Sequence, residues 1–281
     1  MNGSMSSARI AFQGERGAFS EEAAIKLLGE DIRLVPQPTF AALFRSIDNN
    51  LADYVLAPVE NSLAGSIHRS YDLLLESSFL IVGEVVLPVA HNLISCPGAS
   101  FDSIETVQSH ATALAQCENF FAAHPHIKRV VADDTAGSVA EVIERADLTH
   151  AAIAGRRAAE IYGGAILREH LEDHPQNYTR FVLLGLTPTS ESGANKLSLL
   201  VKLEHAPGAL QRALAPFARR AINLLKIESR PIKGEPWQYH FYLDLETTSH
   251  CQKAELALAD LERLAASVRV LGRYKSWSEK D

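Results

Sequence analysis

Short apolar runs alternate with segments of helical period from residue 9 to residue 186, and this alternation constrains the fold more than any other feature. It is typical of a parallel sheet whose strands are joined by crossover helices. Strands are predicted over residues 9–12, 54–59, 104–108, 129–132, 151–154 and 181–186. Helices are predicted from an N-cap at Ser20 to Gly29, after Thr39, around 67–74, and over 112–121, 138–145 and 156–162. This part of the chain is expected to be α/β.

Residues 79–96 form one long stretch that is largely extended and lacks helical period. Such a stretch fits a chain that crosses from one lobe to a second lobe. The chain would return through residues 163–178, which lead into the strand at 181–186. We therefore expect a two-lobed domain with hinges near 79–96 and 163–178.

A break in composition separates this domain from the rest of the chain. Residues 187–195 contain no large apolar side chain and several turn formers, which predicts a linker. The segments after it are a strand (196–204), a helix (208–221), two strands (224–232 and 238–246), a helix (254–267) and a strand (269–274). This βαββαβ order is the ferredoxin-like one. Domains are expected over residues 8–187 and 196–275.

Net charge and cysteine content indicate which partners and which cellular compartment to expect. A formal net charge of -7 argues against nucleic acid or an anionic membrane as a partner. Cys96, Cys117 and Cys251 are odd in number and widely spaced, as expected of free thiols in a reducing compartment. No apolar leader or membrane-length apolar run is present in the sequence. The protein is expected to be cytoplasmic.

The sequence lacks the common signatures of metal and nucleotide sites. The eleven histidines form no His-Glu-x-x-His motif, and His170 and His174 lack a third ligand at a recognisable spacing. There is no Walker loop, no Gly-x-Ser-x-Gly elbow and no Gly-x-Gly-x-x-Gly after the first strand. The turn from Gly14 to Gly17 could hold an anion or be a plain tight turn. We expect neither a cofactor nor a metal.

Four polar groups lie at strand ends or helix starts, where open α/β sheets bind ligands. They are residues 60–62, 109–116, 134–138 and 177–181. Spacing alone leaves a structural alternative for each, because the first three also suit helix capping and Thr179 also suits a strand edge. Ser109 and His110 do not form a nucleophile pair, since adjacent residues on an extended chain point apart. The pattern indicates a small-molecule site rich in hydroxyls and amides.

Three of these segments together resemble the prephenate dehydratase family. They are Pro58-Val59-Glu60-Asn61-Ser62, Ser109-His110 with Ala115-Gln116-Cys117, and Asn177-Tyr178-Thr179-Arg180-Phe181. The similarity runs in order from about Arg9 to Gly272, although Ala18 and Ala111-Thr112 depart from the usual family residues. The resemblance implies a two-lobed fold like that of periplasmic binding proteins, with mainly parallel sheets.

The resemblance also implies roles for single residues. Thr179 would donate the proton to the leaving hydroxide, and Glu60, Asn61, Ser109 and Gln116 would complete the catalytic set. Residues that would bind substrate are Ser62, Arg180 and Thr135.

The C-terminal segment resembles the ACT regulatory domain that follows many such enzymes. Two motifs carry this resemblance, Gly208-Ala209-Leu210 and Glu228-Ser229-Arg230-Pro231. They imply an allosteric site for L-phenylalanine between paired domains, and hence a homodimer or homotetramer. Gln211 departs from the valine that usually follows the first motif.

The implied reaction is the decarboxylating dehydration of prephenate to phenylpyruvate in L-phenylalanine biosynthesis. Arogenate dehydratase, which performs the same chemistry on the aminated substrate, is the alternative within enzymes. A non-catalytic sensor that closes on a small anion is the alternative from another class, and it would bind without turnover. No chorismate mutase helices precede the catalytic part, so a bifunctional enzyme is not expected.

Overall fold

The computed structural model describes residues 7–188, 193–247 and 252–278, and within these ranges the chain forms two compact units. The first unit contains the chain up to Ser70 together with Val85–Phe181. The second contains Tyr71–Glu84 together with the chain from Val182 onward. Among the described residues, no helix is long and apolar enough to cross a membrane.

Fifteen strands, nine α-helices and one short 3-10 helix (Phe101–Ser103) are assigned in the described ranges. The strands are β1 (Arg9–Gln13), β2 (Arg33–Gln37), β3 (Tyr54–Asn61), β4 (Gly65–Ser66), β5 (Leu80–Pro88), β6 (Asn92–Ser95), β7 (Thr106–His110), β8 (Lys128–Ala132), β9 (His150–Ala154), β10 (Ala165–Arg168), β11 (Tyr178–Gly185), β12 (Lys196–Lys202), β13 (Leu224–Pro231), β14 (Tyr239–Glu246) and β15 (Ser267–Tyr274). The helices are α1 (Phe19–Leu28), α2 (Phe40–Arg45), α3 (His68–Glu76), α4 (Ala111–Ala115), α5 (Glu118–Ala123), α6 (Thr135–Arg145), α7 (Arg156–Tyr162), α8 (Ala209–Ala218) and α9 (Gln252–Glu262).

The first sheet has the order β2-β1-β3-β11-β5, with β4 paired to β3. Strand β1 runs parallel to both β2 and β3, as the alternating pattern predicts. Strand β2 was not predicted, because it is short and half exposed and contains Pro36. Its position at the sheet edge explains the proline, which has no N–H to give to a second neighbour.

The second sheet has the order β10-β6-β9-β7-β8. Strands β7, β8 and β9 are parallel, whereas β6 is antiparallel to both β9 and β10, so this sheet is mixed. The chain passes from the first sheet to the second through residues 89–91 and returns through 169–177. The two crossings are joined where the Val89 N–H donates to the Asn177 carbonyl at 2.8 Å.

The turn after β1 requires glycine because another helix approaches it closely. Gly17 has a φ of 85°, and a Cβ there would lie 2.8 Å from the Cα of Ala158 on α7. The carboxylate of Glu21 is fully buried behind this turn and accepts hydrogen bonds from the Gly17 N–H, Arg16 and Arg157. Burial opposes its ionisation, but these donors hold the pKa of Glu21 below its usual value.

Two details of the predicted helices are wrong. Ser20 is not an N-cap, because α1 begins one residue earlier and Ser20 is buried in its first turn. The single helix expected over 112–121 is broken into α4 and α5. The break is stabilised by Asp173, whose carboxylate accepts hydrogen bonds of 2.9 Å from the N–H groups of Glu118 and Asn119. This capping group lies far away in sequence, so helical periodicity does not reveal it.

The third sheet has the order β13-β14-β12-β15, and all its pairings are antiparallel. With α8 and α9 it confirms the ferredoxin-like βαββαβ fold. Its core is an apolar cluster that includes Leu199, Phe217, Leu243, Leu258 and Leu261. Of the predicted linker, residues 189–192 lie outside the described ranges.

Candidate active site

A cavity of about 350 Å³ lies in the first unit and is lined by residues from both of its sheets. Helices α1, α4 and α6 all begin at this cavity, since its lining includes Phe19, Thr112 and Thr135. Positive dipole ends of helix starts favour a negatively charged ligand, but Asp133 and Asp134 also line the cavity, Asp134 caps α6, and the Thr112 N–H of α4 donates to the His110 Nδ1. The start of α1, which has no side-chain cap, is therefore the one best suited to an anion.

Asn61 and Thr179 meet on the wall of the cavity because their strands end and begin there. Asn61 is the last residue of β3, Thr179 is the second residue of β11, and these strands are neighbours in the first sheet. The Asn61 Nδ2 group donates to the Thr179 Oγ1 at 3.1 Å. Both side chains are 9% exposed, so the contact is held away from bulk water. The bond occupies a lone pair of the threonine oxygen and leaves its proton for another acceptor.

Two further amides extend this contact. Asn61 also donates to the Asn177 Oδ1 at 2.8 Å, and the Asn177 Nδ2 donates to the Gln116 Oε1 at 3.0 Å. Gln116 is the C-cap residue of α4, so the break between α4 and α5 aims its side chain at the cluster. The predicted residues Asn61, Gln116 and Thr179 are thus brought together by tertiary structure.

His91 completes the cluster and was not predicted. Its ring Nε2 lies 2.8 Å from the Gln116 Oε1, and the ring packs edge-on against Phe19. Burial lowers the pKa of His91, although the hydrogen bond to Gln116 and the charge of Glu172 oppose this shift. The available signal is that a polar pair, His91 and Asn92, interrupts the apolar run of residues 79–96.

Other predicted residues lie near the cluster without joining it. Ser109 is fully buried and donates to the Ile153 carbonyl at 2.6 Å, so its hydroxyl ties β7 to β9. Ser62 uses its hydroxyl in a backbone bridge to the strand that carries Thr179. Thr135 lines the cavity at the start of α6, where the Asp134 side chain caps the helix.

Glu60 and Arg180 flank the cluster in sequence but pair with each other. The Arg180 Nη1 lies 3.9 Å from the Glu60 Oε2. They alternate with Asn61 and Thr179 along their strands, and successive strand residues point to opposite faces. Accordingly, the residues described as lining the cavity include Asn61 and Thr179 but neither member of this ion pair.

Cysteine chemistry is disfavoured at the motif that contains Gln116. Cys117 is fully buried, and burial together with nearby carboxylates raises the pKa of its thiol strongly. A thiol held neutral is a poor nucleophile. Among the described residues, no group of three or more His, Cys, Asp or Glu side chains is placed to hold a metal ion.

The two predicted effector motifs lie on different elements of the second unit. Ala209 and Leu210 line a cavity of about 130 Å³ with Tyr239 and Phe241. Gly208, with a φ of 76°, is the N-cap residue of α8. Residues 228–231 end strand β13, where Arg230 forms an ion pair of 3.0 Å with Asp72.

The first 180 or so described residues match a known family profile. Residues 10–189 match the profile described as Prephenate dehydratase, which is more than half of the chain. The chain belongs to the prephenate dehydratase family. The sequence resemblance built on the 58–62, 109–117 and 177–181 segments is therefore confirmed.

Named relatives agree with the family assignment. The chain is 42% identical over 95% of its length to Arogenate dehydratase/prephenate dehydratase 2, chloroplastic, from Arabidopsis thaliana, covering 72% of that protein. It is 40% identical over 94% of its length to the Bifunctional chorismate mutase/prephenate dehydratase of Neisseria gonorrhoeae, covering 74% of that protein. Among solved structures, the prephenate dehydratase from Arthrobacter aurescens in complex with L-Phe is 31% identical, with a TM-score of 0.86 and coverage of 95% of this chain and 90% of that one.

Proposed function

We propose that this chain converts prephenate to phenylpyruvate, with Thr179 as the proton donor to the departing hydroxyl. The observation that carries the proposal is the hydrogen bond from the Asn61 Nδ2 to the Thr179 Oγ1 on the cavity wall. Because the threonine oxygen accepts this bond, its own O–H group is left to donate to a ligand. The family membership of the chain supports the same reaction.

The proposed reaction needs one proton and no redox partner. The C–O bond to the ring hydroxyl breaks, and the hydroxide takes the Thr179 proton and leaves as water. The C–C bond to the ring carboxylate breaks, CO₂ leaves, and the electron pair of that bond completes the aromatic ring. The threonine oxygen then regains a proton from solvent. A positioned acid of this kind contributes about 10²- to 10⁴-fold in rate.

The start of α1 also supports prephenate, a dicarboxylate, as the ligand. Phe19 at this start faces the cavity and α1 has no side-chain cap, whereas the Asp134 carboxylate caps α6. Backbone N–H groups at helix starts bind carboxylates. The aromatic ring of Phe19 offers an apolar surface to the ring of the substrate.

The second unit is proposed to be an ACT domain that binds L-phenylalanine. Its support is the ferredoxin-like fold, the Gly208-Ala209-Leu210 motif beside the smaller cavity, and the likeness to a prephenate dehydratase solved with L-Phe. Ser229 and Pro231 pair on the sheet with Phe241 and Tyr239, which line the smaller cavity, so both motifs border one region of the second unit. The pairing of ACT domains that the resemblance implies makes a homodimer or homotetramer the proposed assembly. The free, buried thiols of Cys96 and Cys117 suit a cytoplasmic enzyme.

The test is an assay of the purified protein with prephenate and, separately, with arogenate. We expect phenylpyruvate to form from prephenate with a higher kcat/KM than phenylalanine from arogenate. Faster turnover of arogenate would overturn the choice of substrate. Tight binding of prephenate without any turnover would instead support the sensor alternative.

A further inference from the structure

The hydrogen-bond chain of the active site has a direction that backbone groups determine. The Asn61 Oδ1 accepts hydrogen bonds from the N–H groups of Leu63 and Ala64, at 3.0 and 2.8 Å. The opposite side-chain atom lies 3.1 Å from the carbonyl oxygen of Tyr178, which can only accept. That atom must therefore be the Nδ2 of Asn61, and the orientation of this amide has no alternative.

This orientation determines the next two amides in turn. Since the Asn61 Nδ2 donates to Asn177 at 2.8 Å, the atom that receives the bond is the Asn177 Oδ1. The other atom of that amide is then Nδ2, and it donates to Gln116 at 3.0 Å. The receiving atom is therefore the Gln116 Oε1.

The same logic identifies the tautomer of His91. Its Nε2 lies 2.8 Å from the Gln116 Oε1, which can only accept, so the Nε2 must carry a hydrogen. Its Nδ1 is buried and has no hydrogen-bond partner within the described ranges, so a second proton there would be unsatisfied. His91 is 2% exposed. The ring is thus a neutral imidazole with its hydrogen on Nε2.

The backbone of His91 is held as firmly as its ring. The N–H of His91 donates to the Glu172 carboxylate at 2.7 Å, and its carbonyl accepts from the N–H of Leu171 at 2.8 Å. His91 lies on one crossing between the two sheets, and both partners lie on the other. The imidazole is therefore placed by the two segments that connect the lobes.

From this geometry we propose that His91 is a positioning residue of the dehydratase reaction, which locks the Gln116 amide against Asn177 on the cavity wall that also carries Asn61 and Thr179. This inference rests on the proposed function. With N–H groups from both His91 and Asn177, the two lone pairs of the Gln116 Oε1 are occupied. A flip of that amide would bring its NH₂ group against two donors, so the flipped state is excluded. Without His91, the flip is opposed only by the bond from Asn177 and by the long 3.5 Å contact from the Gln116 Nε2 to the Asn61 Oδ1.

Three substitutions at His91 test the proposal. In His91→Gln, the side-chain NH₂ occupies the position of the Nε2 and can still donate to Gln116, whereas the shorter amide of His91→Asn cannot reach it. We expect kcat to fall about tenfold or more in His91→Phe and His91→Asn, with little change in KM, because one buried hydrogen bond is lost. His91→Gln should recover most of this loss. Wild-type kcat in His91→Phe, or no recovery in His91→Gln, would overturn the proposal.

A double-mutant cycle with Gln116→Leu separates positioning from a direct role. If His91 acts through Gln116, adding His91→Phe to Gln116→Leu should cost no further kcat. If the losses in kcat from His91→Phe and Gln116→Leu were fully additive, the proposal would be overturned. Absence of prephenate turnover in the wild type would instead refute the proposed function, so the two failures are distinguishable.

A measurement of ring protonation tests the deduced tautomer without relying on activity. Nitrogen NMR of the histidine-labelled protein should contain the signal of a neutral ring protonated at Nε2 that is missing from the His91→Gln spectrum and is thereby assigned to His91. A ring protonated at Nδ1, or at both nitrogens near neutral pH, would contradict the deduced hydrogen-bond chain.

Discussion

At the scale of single residues, the site is a set of weak acids and amides whose arrangement supplies the chemistry. A threonine hydroxyl alone is too weak an acid to protonate hydroxide efficiently. In this protein the Thr179 oxygen accepts a hydrogen bond from Asn61, which favours the negative charge that develops as the proton leaves. Burial strengthens this effect, because the bond lies in a region of low dielectric.

The role of Thr179 leads to a direct prediction. Thr179→Ala should lower kcat by about 10²- to 10⁴-fold, since it removes the proton donor and keeps the fold. Thr179→Ser is the matched control, because it keeps the hydroxyl beside Asn61 and should retain most of the rate. Steady-state kinetics on prephenate provides the measurement. A Thr179→Ala enzyme near the wild-type rate would remove the central claim.

The buried His91 predicts a particular pH dependence of stability. Burial holds the pKa of His91 below the ordinary value, against the opposing effects of Gln116 and Glu172. In the unfolded chain the same imidazole has a pKa of about 6.5. The unfolded state therefore binds more protons just below this pH. The contribution of neutral His91 to the free energy of unfolding is complete above about pH 6.5 and is lost as the pH falls toward the lower folded-state pKa.

Denaturant unfolding of wild type and His91→Gln at several pH values measures this contribution. The wild type should lose stability relative to the variant as the pH falls below about 6.5, because glutamine does not titrate. The remaining titratable groups are the same in both proteins, so their effects largely cancel in the difference. A difference that does not change with pH would contradict the assignment of a buried neutral imidazole.

At the scale of elements, strand β12 carries two ion pairs whose degree of burial should determine how much each contributes to the free energy of unfolding. Lys196 at its start pairs with Glu84 at 2.9 Å, and these side chains are 9% and 4% exposed. Lys202 at its end pairs with Glu235 at 2.8 Å, and these side chains are 28% and 40% exposed. Removing one partner of a buried pair leaves an uncompensated charge, whereas water solvates the remaining partner of an exposed pair.

These two lysines form a matched pair of substitutions. Lys196→Met should reduce the free energy of unfolding by about 3 to 5 kcal/mol, because it leaves Glu84 charged and buried. Lys202→Met on the same strand should cost no more than about 1 kcal/mol. Chemical denaturation measures both values. If the two variants lost the same free energy of unfolding, burial of the Lys196–Glu84 pair would not determine its contribution to stability.

At the scale of the whole molecule, the compact units do not follow the order of the chain. Tyr71–Glu84 belongs to the second unit, although it lies between segments of the first. Within that unit the Tyr242 hydroxyl donates to the Tyr71 carbonyl at 2.6 Å, and Arg230 forms its ion pair with Asp72. Thus Arg230 of the proposed effector motif is already engaged by α3, the helix that follows the turn after Asn61.

The proposed effector site predicts a response of the complete protein. Saturating L-phenylalanine should raise the Tm by a few degrees, since a ligand that binds only the folded state stabilises it. It should also lower the rate of prephenate turnover. Leu210→Glu, which places a charge in the smaller cavity, should abolish the Tm shift and bring the ratio of rates with and without L-phenylalanine close to one.

The control for this prediction is Leu256→Glu, which makes the same change at an exposed position on α9. This variant should still respond to L-phenylalanine, and D-phenylalanine should have little effect on either protein. A Leu210→Glu protein with an undiminished Tm shift would show that the cavity is not the effector site.

By itself, the sequence determined most of the succession of elements and the ferredoxin-like second fold. These follow from local periodicity and turn formers, which depend only on neighbours in the chain. Its short motifs carried the resemblance to the family, and the roles of Asn61, Gln116 and Thr179 are implied by that resemblance. Tertiary structure alone decided the break between α4 and α5, the edge strand β2, the burial of Ser109 and the membership of His91 in the site. The physical reason is that each depends on groups distant in sequence: Asp173 caps α5, Ile153 accepts from Ser109, and Gln116 accepts from His91. A donor or acceptor acquires its role only when folding brings its partner within hydrogen-bond distance.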